Sequence, residues 1–187
     1  MLRWPIVALL AVLLPLKPAT LPDGPVFTPD GQLKLPADYR EWVFLGTGID
    51  MSYTADPSDM SMFNIVFVNP GAYRVFKQTG HWPEGTMMVL EDRGAGSDAS
   101  INKRGKTETS EIMGVEVHVK DSARLKGDGW GFYGSFNHGS GKLTPRPASC
   151  YTCHEAHGAV DTTFTQFYPA ALEIAKTKRT VTSAALK

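Results

Sequence analysis

The polarity pattern changes period several times along the chain. An apolar block, Pro5 to Leu16, comes first, and a proline-, glycine- and aspartate-rich stretch follows from Thr20 to Pro36. "PADYREWVFLGTG" (36–48) opens as a short helix at Pro36 and passes into an apolar run, Trp42 to Leu45. "MFNIVFVN" (62–69) is β-branched and aromatic and predicts a strand. "PGAYRVFKQTG" (70–80) has proline near its start and glycine at its end, the asymmetry of a helix. "HWPEGTMMVLE" (81–91) reads as a turn and then a strand, and the polar, Gly/Ser-rich residues 92–110 read as a long surface loop. Residues 111–121 alternate, with Met113, Val115, Val117 and Val119 on one face and Ile112, Gly114, Glu116, His118 and Lys120 on the other. "GDGWGFYGSFNHG" (127–139) predicts an aromatic strand bounded by glycines, and a terminal helix starts near Pro169. Strands outnumber helices and no βαβ rhythm recurs. The pattern therefore predicts an α+β fold, an antiparallel sheet with flanking helices.

The 187 residues suffice for one domain with a core, and 19 basic against 19 acidic residues leave no net charge. Nucleic-acid binders show a basic excess, so that class is set aside. Arg3, the apolar block and Ala19 resemble the three parts of a secretory signal peptide. The apolar run falls short of the roughly 20 residues a spanning helix needs. The expected organisation is a signal peptide over 1–19, an N-terminal arm over 20–34 and a folded domain over 35–187. An uncleaved anchor is the alternative, and on either reading the domain is exported, which implies the periplasm.

Export changes the meaning of the only two cysteines, Cys150 and Cys153, in "SCYTCHEAH" (149–157). A C-x-x-C-H run is a c-type haem attachment motif: two thioether sulfurs, then an adjacent histidine, His154, reaching the iron. A zinc site needs two further ligands at sensible spacing, and no other cysteine exists. A protease-type H-E-x-x-H needs histidines four apart, whereas His154 and His157 are three apart. The cofactor expected is one covalent haem c.

The chain resembles the cytochrome P-460 family, including the cytochromes c′-beta. The resemblance rests on "LPADYREWVFLGTG" (35–48), "FVNPGAYRVFKQTGHWPEGTMMV" (67–89), "MGVEVHVKDSARL" (113–125), "GWGFYGSF" (129–136) and "CYTCHEAHGAVDTTFTQFYP" (150–169). It implies a periplasmic homodimer with an antiparallel sheet over one haem c per subunit. Cys150 and Cys153 match the thioether cysteines, His154 the proximal ligand, and Glu116 the pocket glutamate that relays protons in hydroxylamine-oxidising members. Those members carry a lysine that cross-links to the haem edge. Here that position holds Leu90, which has no nucleophilic nitrogen.

Strand alternation puts Met88 on the same face as Leu90. Met88 is then either a sixth ligand to iron or a flexible core filler, and the second is favoured. Phe63, on the 62–69 strand, is a candidate cap for the pocket, although only one of Phe63 and Asn64 can face it. Without the lysine, the expected role is binding nitric oxide or a similar small ligand in a pocket made more apolar by Met88, Leu90 and a phenylalanine. A hydroxylamine-oxidising or peroxidase-type enzyme is the alternative, and a His/Met-ligated electron carrier, working with redox partner cytochromes, is the third reading.

Overall fold

A computed structural model describes residues 21–52, 60–97, 100–137 and 139–182. Seven strands, β1 (Leu33–Lys34), β2 (Val43–Ile49), β3 (Met62–Val68), β4 (Met87–Gly96), β5 (Thr107–Lys120), β6 (Trp130–Asn137) and β7 (Ser140–Leu143), form one sheet. Their order is β1-β7-β6-β5-β4-β3-β2, and every pairing is antiparallel. Strands β2 to β7 thus run as a meander, and β1 closes the β7 edge. Three helices accompany the sheet: α1 (Pro70–Thr79), α2 (Ser149–His157) and α3 (Pro169–Lys178). This is the α+β architecture that the polarity pattern predicts. Among the described residues no helix is long and apolar enough to cross a membrane. The proposed signal peptide, residues 1–19, lies outside the described residues.

Period-two alternation divides the sheet's side chains between two cores. Met87, Val89, Val117, Val119 and Tyr133 pack with Leu33, Tyr39 and Trp42 on one face. Met88, Val68 and Trp130 pack with Phe76 and Trp82 on the other, where α1 and α3 also lie. Phe76 and Trp82 stack with ring centroids 3.8 Å apart. Burying each ring is worth about 2–3 kcal/mol. In β2 the register shifts between Phe44 and Gly46, so that Leu45 joins the helix-side core. Gly46 is needed there for space: a Cβ would stand 3.2 Å from the Phe167 carbonyl oxygen.

α1 begins with proline at N1 and ends at Gly80 in the left-handed region, φ 78°. Asp23 from the arm accepts the Gly71 N–H at 2.6 Å, satisfying one of the orphan donors of the first turn. The arm is therefore folded against the domain, and Leu33 within it is fully buried.

Residues 92–110 depart from the expected loop. β4 continues to Gly96 and β5 starts at Thr107, with Gly96 paired to Thr107. Between them the described residues 97 and 100–106 are non-strand. Backbone ladder bonds hold this polar hairpin without needing an apolar face, so hydrophobic periodicity does not reveal it.

Glu91 on β4 is almost fully buried, yet it is charged. It accepts hydrogen bonds from Tyr39, from Arg40 at 2.6 Å and from Arg93. Burial pushes its carboxyl up, but these three donors outweigh it and hold the carboxyl below its usual range. The cluster fastens the 39–41 turn to the centre of the sheet. Glu91→Ala leaves Tyr39 and Arg93 without their acceptor and is expected to cost about 3 kcal/mol. Because the native carboxyl is depressed, its contribution is complete above the unfolded range and is lost as pH falls through the native value. Urea denaturation of wild type and Glu91→Ala at about pH 7 and about pH 3 checks this: the difference should shrink in acid.

Candidate haem site

α2 carries Cys150, Cys153 and His154 at positions i, i+3 and i+4 of one helix, a spacing that stacks side chains on a single face. That face looks onto a cavity of about 700 Å³, walled by the sheet on one side and by α2 and residues 163–168 on the other. The volume falls within the size class of cofactor and small-molecule sites. The opposite face of α2 is anchored by Tyr151, which donates to the Thr144 carbonyl at 2.8 Å and lies under Arg146.

His154 is held on several sides. Its Nδ1 is 2.8 Å from the Thr162 carbonyl oxygen. A carbonyl can only accept, so Nδ1 carries the proton and Nε2 is left with its lone pair, the tautomer a metal requires. Phe164, Phe132 and His118 surround the ring, with centroids 4.0, 4.7 and 4.9 Å away. Burial lowers the pKa of His154, and the Thr162 bond opposes that shift only in part. A neutral imidazole, two thiols on one helix face and a cavity beside them suit haem: Cys150 and Cys153 would hold it, and His154 Nε2 would ligate its iron.

The strands behind the cavity align three cross-strand rows, from which Met88, His118, Phe132, Val66, Leu90, Glu116 and Asn64 line it. Val68, Met88, His118 and Phe132 form the row that touches His154. Val66, Leu90 and Glu116 form the next, with Leu90 directly opposite Glu116. Asn64, Asp92 and Gly114 form the third, farthest along the strands from His154. Met88, Leu90 and Glu116 thus share one cavity with the two cysteines and His154. Met88 also belongs to the helix-side core and is 4% exposed.

Phe63 does not cap this cavity. Asn64 and Val66 line it, and alternation turns Phe63 to the opposite face of β3. The wall is accordingly more polar than expected. Asn64 Nδ2 donates to Asp92 at 2.7 Å, while the Asn64 Oδ1 atom is buried with no partner among the described residues. Burial raises the pKa of Asp92, and burial followed by the Asp92 charge raises that of Glu116. His157, at the end of α2, is exposed.

Two residues were not legible from the motifs. Asp92 was hidden in a stretch that read as loop. His118 stood two places from Glu116 on the same face, and alternation alone could have found it. His118 is stacked on Phe132, with centroids 4.1 Å apart, and its Nε2 is buried without a partner among the described residues. Burial keeps this imidazole neutral, well below its ordinary pKa.

The cytochrome P460 family model matches residues 36–165, which include the sheet side of the cavity and all of α2. The chain belongs to the cytochrome P460 family and is a haem protein of that family. No curated protein matches it.

Two outcomes follow from this geometry. Met88 packs in the core, so Met88→Ala should leave the ferric spin state unchanged, read by electron paramagnetic resonance, while costing about 2–5 kcal/mol in chemical denaturation. Glu116 has a raised carboxyl pKa, so the unfolded chain gives up its proton first and stability falls as pH rises from the ordinary carboxylate range to the native value. Glu116→Gln should therefore raise the thermal midpoint at about pH 7 and leave it unchanged near pH 4.

Proposed function

We propose that the protein is an exported haem c cytochrome that binds nitric oxide or a comparably small ligand at its iron. Cys150 and Cys153 form the thioether bonds, and His154 is the proximal ligand. The observation that carries this reading is the pairing of Leu90 with Glu116 on the cavity wall. The lysine of hydroxylamine-oxidising relatives falls at Leu90, so a hydrocarbon side chain stands where those members hold an amine. When bound, the haem supplies an iron that takes a small ligand and exchanges electrons.

The chain's own groups divide the remaining work. Leu90 and Val66 keep the middle of the wall apolar. Glu116 holds a proton at its carboxyl above the ordinary range, and Asp92 does so beside it. The Asn64 side-chain carbonyl oxygen, without a partner among the described residues, is an acceptor beside the cavity. These acceptors support a second reading, in which the protein oxidises hydroxylamine or uses peroxide with Glu116 as proton relay. The core packing of Met88 weighs against a His/Met electron carrier.

Residues 1–19 direct export to the periplasm on this reading, where haem attachment and exchange with redox partner cytochromes take place. Assembly as a homodimer is supported by the edge strand β2, which exposes Phe44 and Ile49.

The exported protein should have the mass of its processed chain plus one haem, retained through acid–acetone extraction. Added nitric oxide should shift the optical spectrum at stoichiometric amounts. Leu90→Lys, treated with peroxide, should gain a bond between the lysine nitrogen and a haem-edge carbon. One N–H and one C–H hydrogen leave, and peroxide is reduced to water. Mass spectrometry of the haem peptide reads that bond, and the ferrous Soret band should move to the position characteristic of cross-linked members. Catalytic turnover of hydroxylamine by wild type, measured with an artificial electron acceptor, would replace the first reading with the second.

A further inference from the structure

The segment between α2 and the 165–167 turn contains a backbone feature that the haem motif does not explain. Residues 160–163 form a tight turn, closed by the Thr163 N–H on the Val160 carbonyl at 2.8 Å. Both central residues lie in the left-handed region, Asp161 at φ 47° and Thr162 at φ 56°. Turns of this kind favour asparagine and glycine. A β-branched threonine there is strained, because its Cβ crowds the backbone. Such a conformation persists only where the surroundings over-determine it.

The surroundings do so from three directions. The Asp161 carboxylate accepts the Trp82 N–H at 2.7 Å and the His81 Nδ1–H at 3.1 Å, with Lys120 Nζ 3.9 Å away. Thr162 Oγ1 donates to Asp128 at 2.9 Å, and Asp128 is paired with Arg146, which also holds Glu155 on α2. Trp82 Nε1 donates to Thr163 Oγ1 at 3.1 Å. Gly158 lets the turn fold back this far: a Cβ there would stand 2.6 Å from the Thr162 carbonyl carbon and 2.7 Å from the His154 oxygen. All of this brings one acceptor to one place, the Thr162 carbonyl at 2.8 Å from His154 Nδ1.

We propose that Asp161 is a positioning residue for the iron ligand, clamping the 160–163 turn to the His81–Trp82 corner so that the Thr162 carbonyl sets the tautomer, ring plane and donor strength of His154. The proposal rests on the reading of His154 as the proximal ligand. Hydrogen bonds to the far nitrogen of a ligating histidine raise its basicity and tune the metal. Here the acceptor is a backbone atom, so no side chain beside His154 controls it. Control passes to the carboxylate one residue away in sequence, which grips a different part of the fold. A carboxylate that served only as a fold staple would change stability without touching the iron.

The test uses the haem-loaded protein. Asp161→Gly keeps the left-handed conformation at no steric cost but removes the clamp. Its ferrous iron–histidine stretch, read by resonance Raman, should move to lower frequency than in wild type, and its midpoint potential should rise. Asp161→Asn retains an acceptor for the Trp82 N–H and tolerates the same backbone region, so it should restore both values. If Asp161→Gly does not fold, Asp161→Glu displaces the clamp by one methylene, and a shift in the same direction is expected. An unmoved stretch and potential in the folded variant overturn the proposal while leaving the ligand assignment intact. An iron–histidine stretch that survives unchanged in His154→Ala overturns the assignment of His154, and the proposal falls with it.

Discussion

The pairing of β4 with β5 sets which residues meet in the cavity. Leu90 is opposite Glu116, and Met88 is opposite His118, because Met87–Asp92 and Gly114–Val119 pair in one unbroken register. Side chains along a strand alternate, so a slip of β4 by one residue would send Met88 and Leu90 into the opposite core and separate them from Glu116 and His118. It would also bring Glu91 to the cavity and strip it of Tyr39 and Arg40. The register is held from both faces. Val89, Val117 and Val119 are fully buried on one side, and Met88 is locked among Phe76, Trp82 and Trp130 on the other. The Glu91 cluster adds a polar restraint at the same level of the sheet, since its three donors arrive from two separate segments.

Opposite this wall the candidate haem face is presented by a short helix with little apolar surface of its own. Within α2 only Tyr151 is buried. The helix is placed instead by what surrounds it: Tyr151 on the Thr144 carbonyl, Arg146 between Glu155 and Asp128, and the backbone fold at Gly158 that returns Thr162 to His154. Polar groups buried without partners carry a free-energy cost. The unpartnered nitrogen of His118 and oxygen of Asn64 both belong to residues lining the cavity. A bound group that offers hydrogen bonds there would recover part of that cost.

Some of this was legible in the chain. The proline and glycine that bound α1 act on their own backbone, so local chemistry revealed them. The alternation of 111–121 correctly separated Val117 and Val119 from Glu116 and His118. The strand ends beside the hairpin tip were misread as loop, since residues 92–96 and 107–110 carry no large apolar side chain and are held by backbone bonds to each other. The choice between Phe63 and Asn64 needed the register of β3 on β4, which pairs Asn64 with Asp92. A phenylalanine is the natural guess for an apolar pocket, but the other core of the sheet also needs large side chains.

The sequence by itself determined the class of chemistry. Cysteines three apart followed by histidine read as a haem-attachment motif from the chain alone, because their spacing is local to one and a half turns of helix. The segments that carry the family resemblance likewise identified the protein as a cytochrome P460, and the alternation implied an antiparallel sheet. Only the tertiary structure decided what faces the motif. Asn64, Leu90, Glu116 and His118 come from three different strands, and Thr162 reaches His154 through a left-handed turn gripped by residues eighty positions away. Those juxtapositions arise from packing between distant segments, which leaves no periodic trace in the order of the residues.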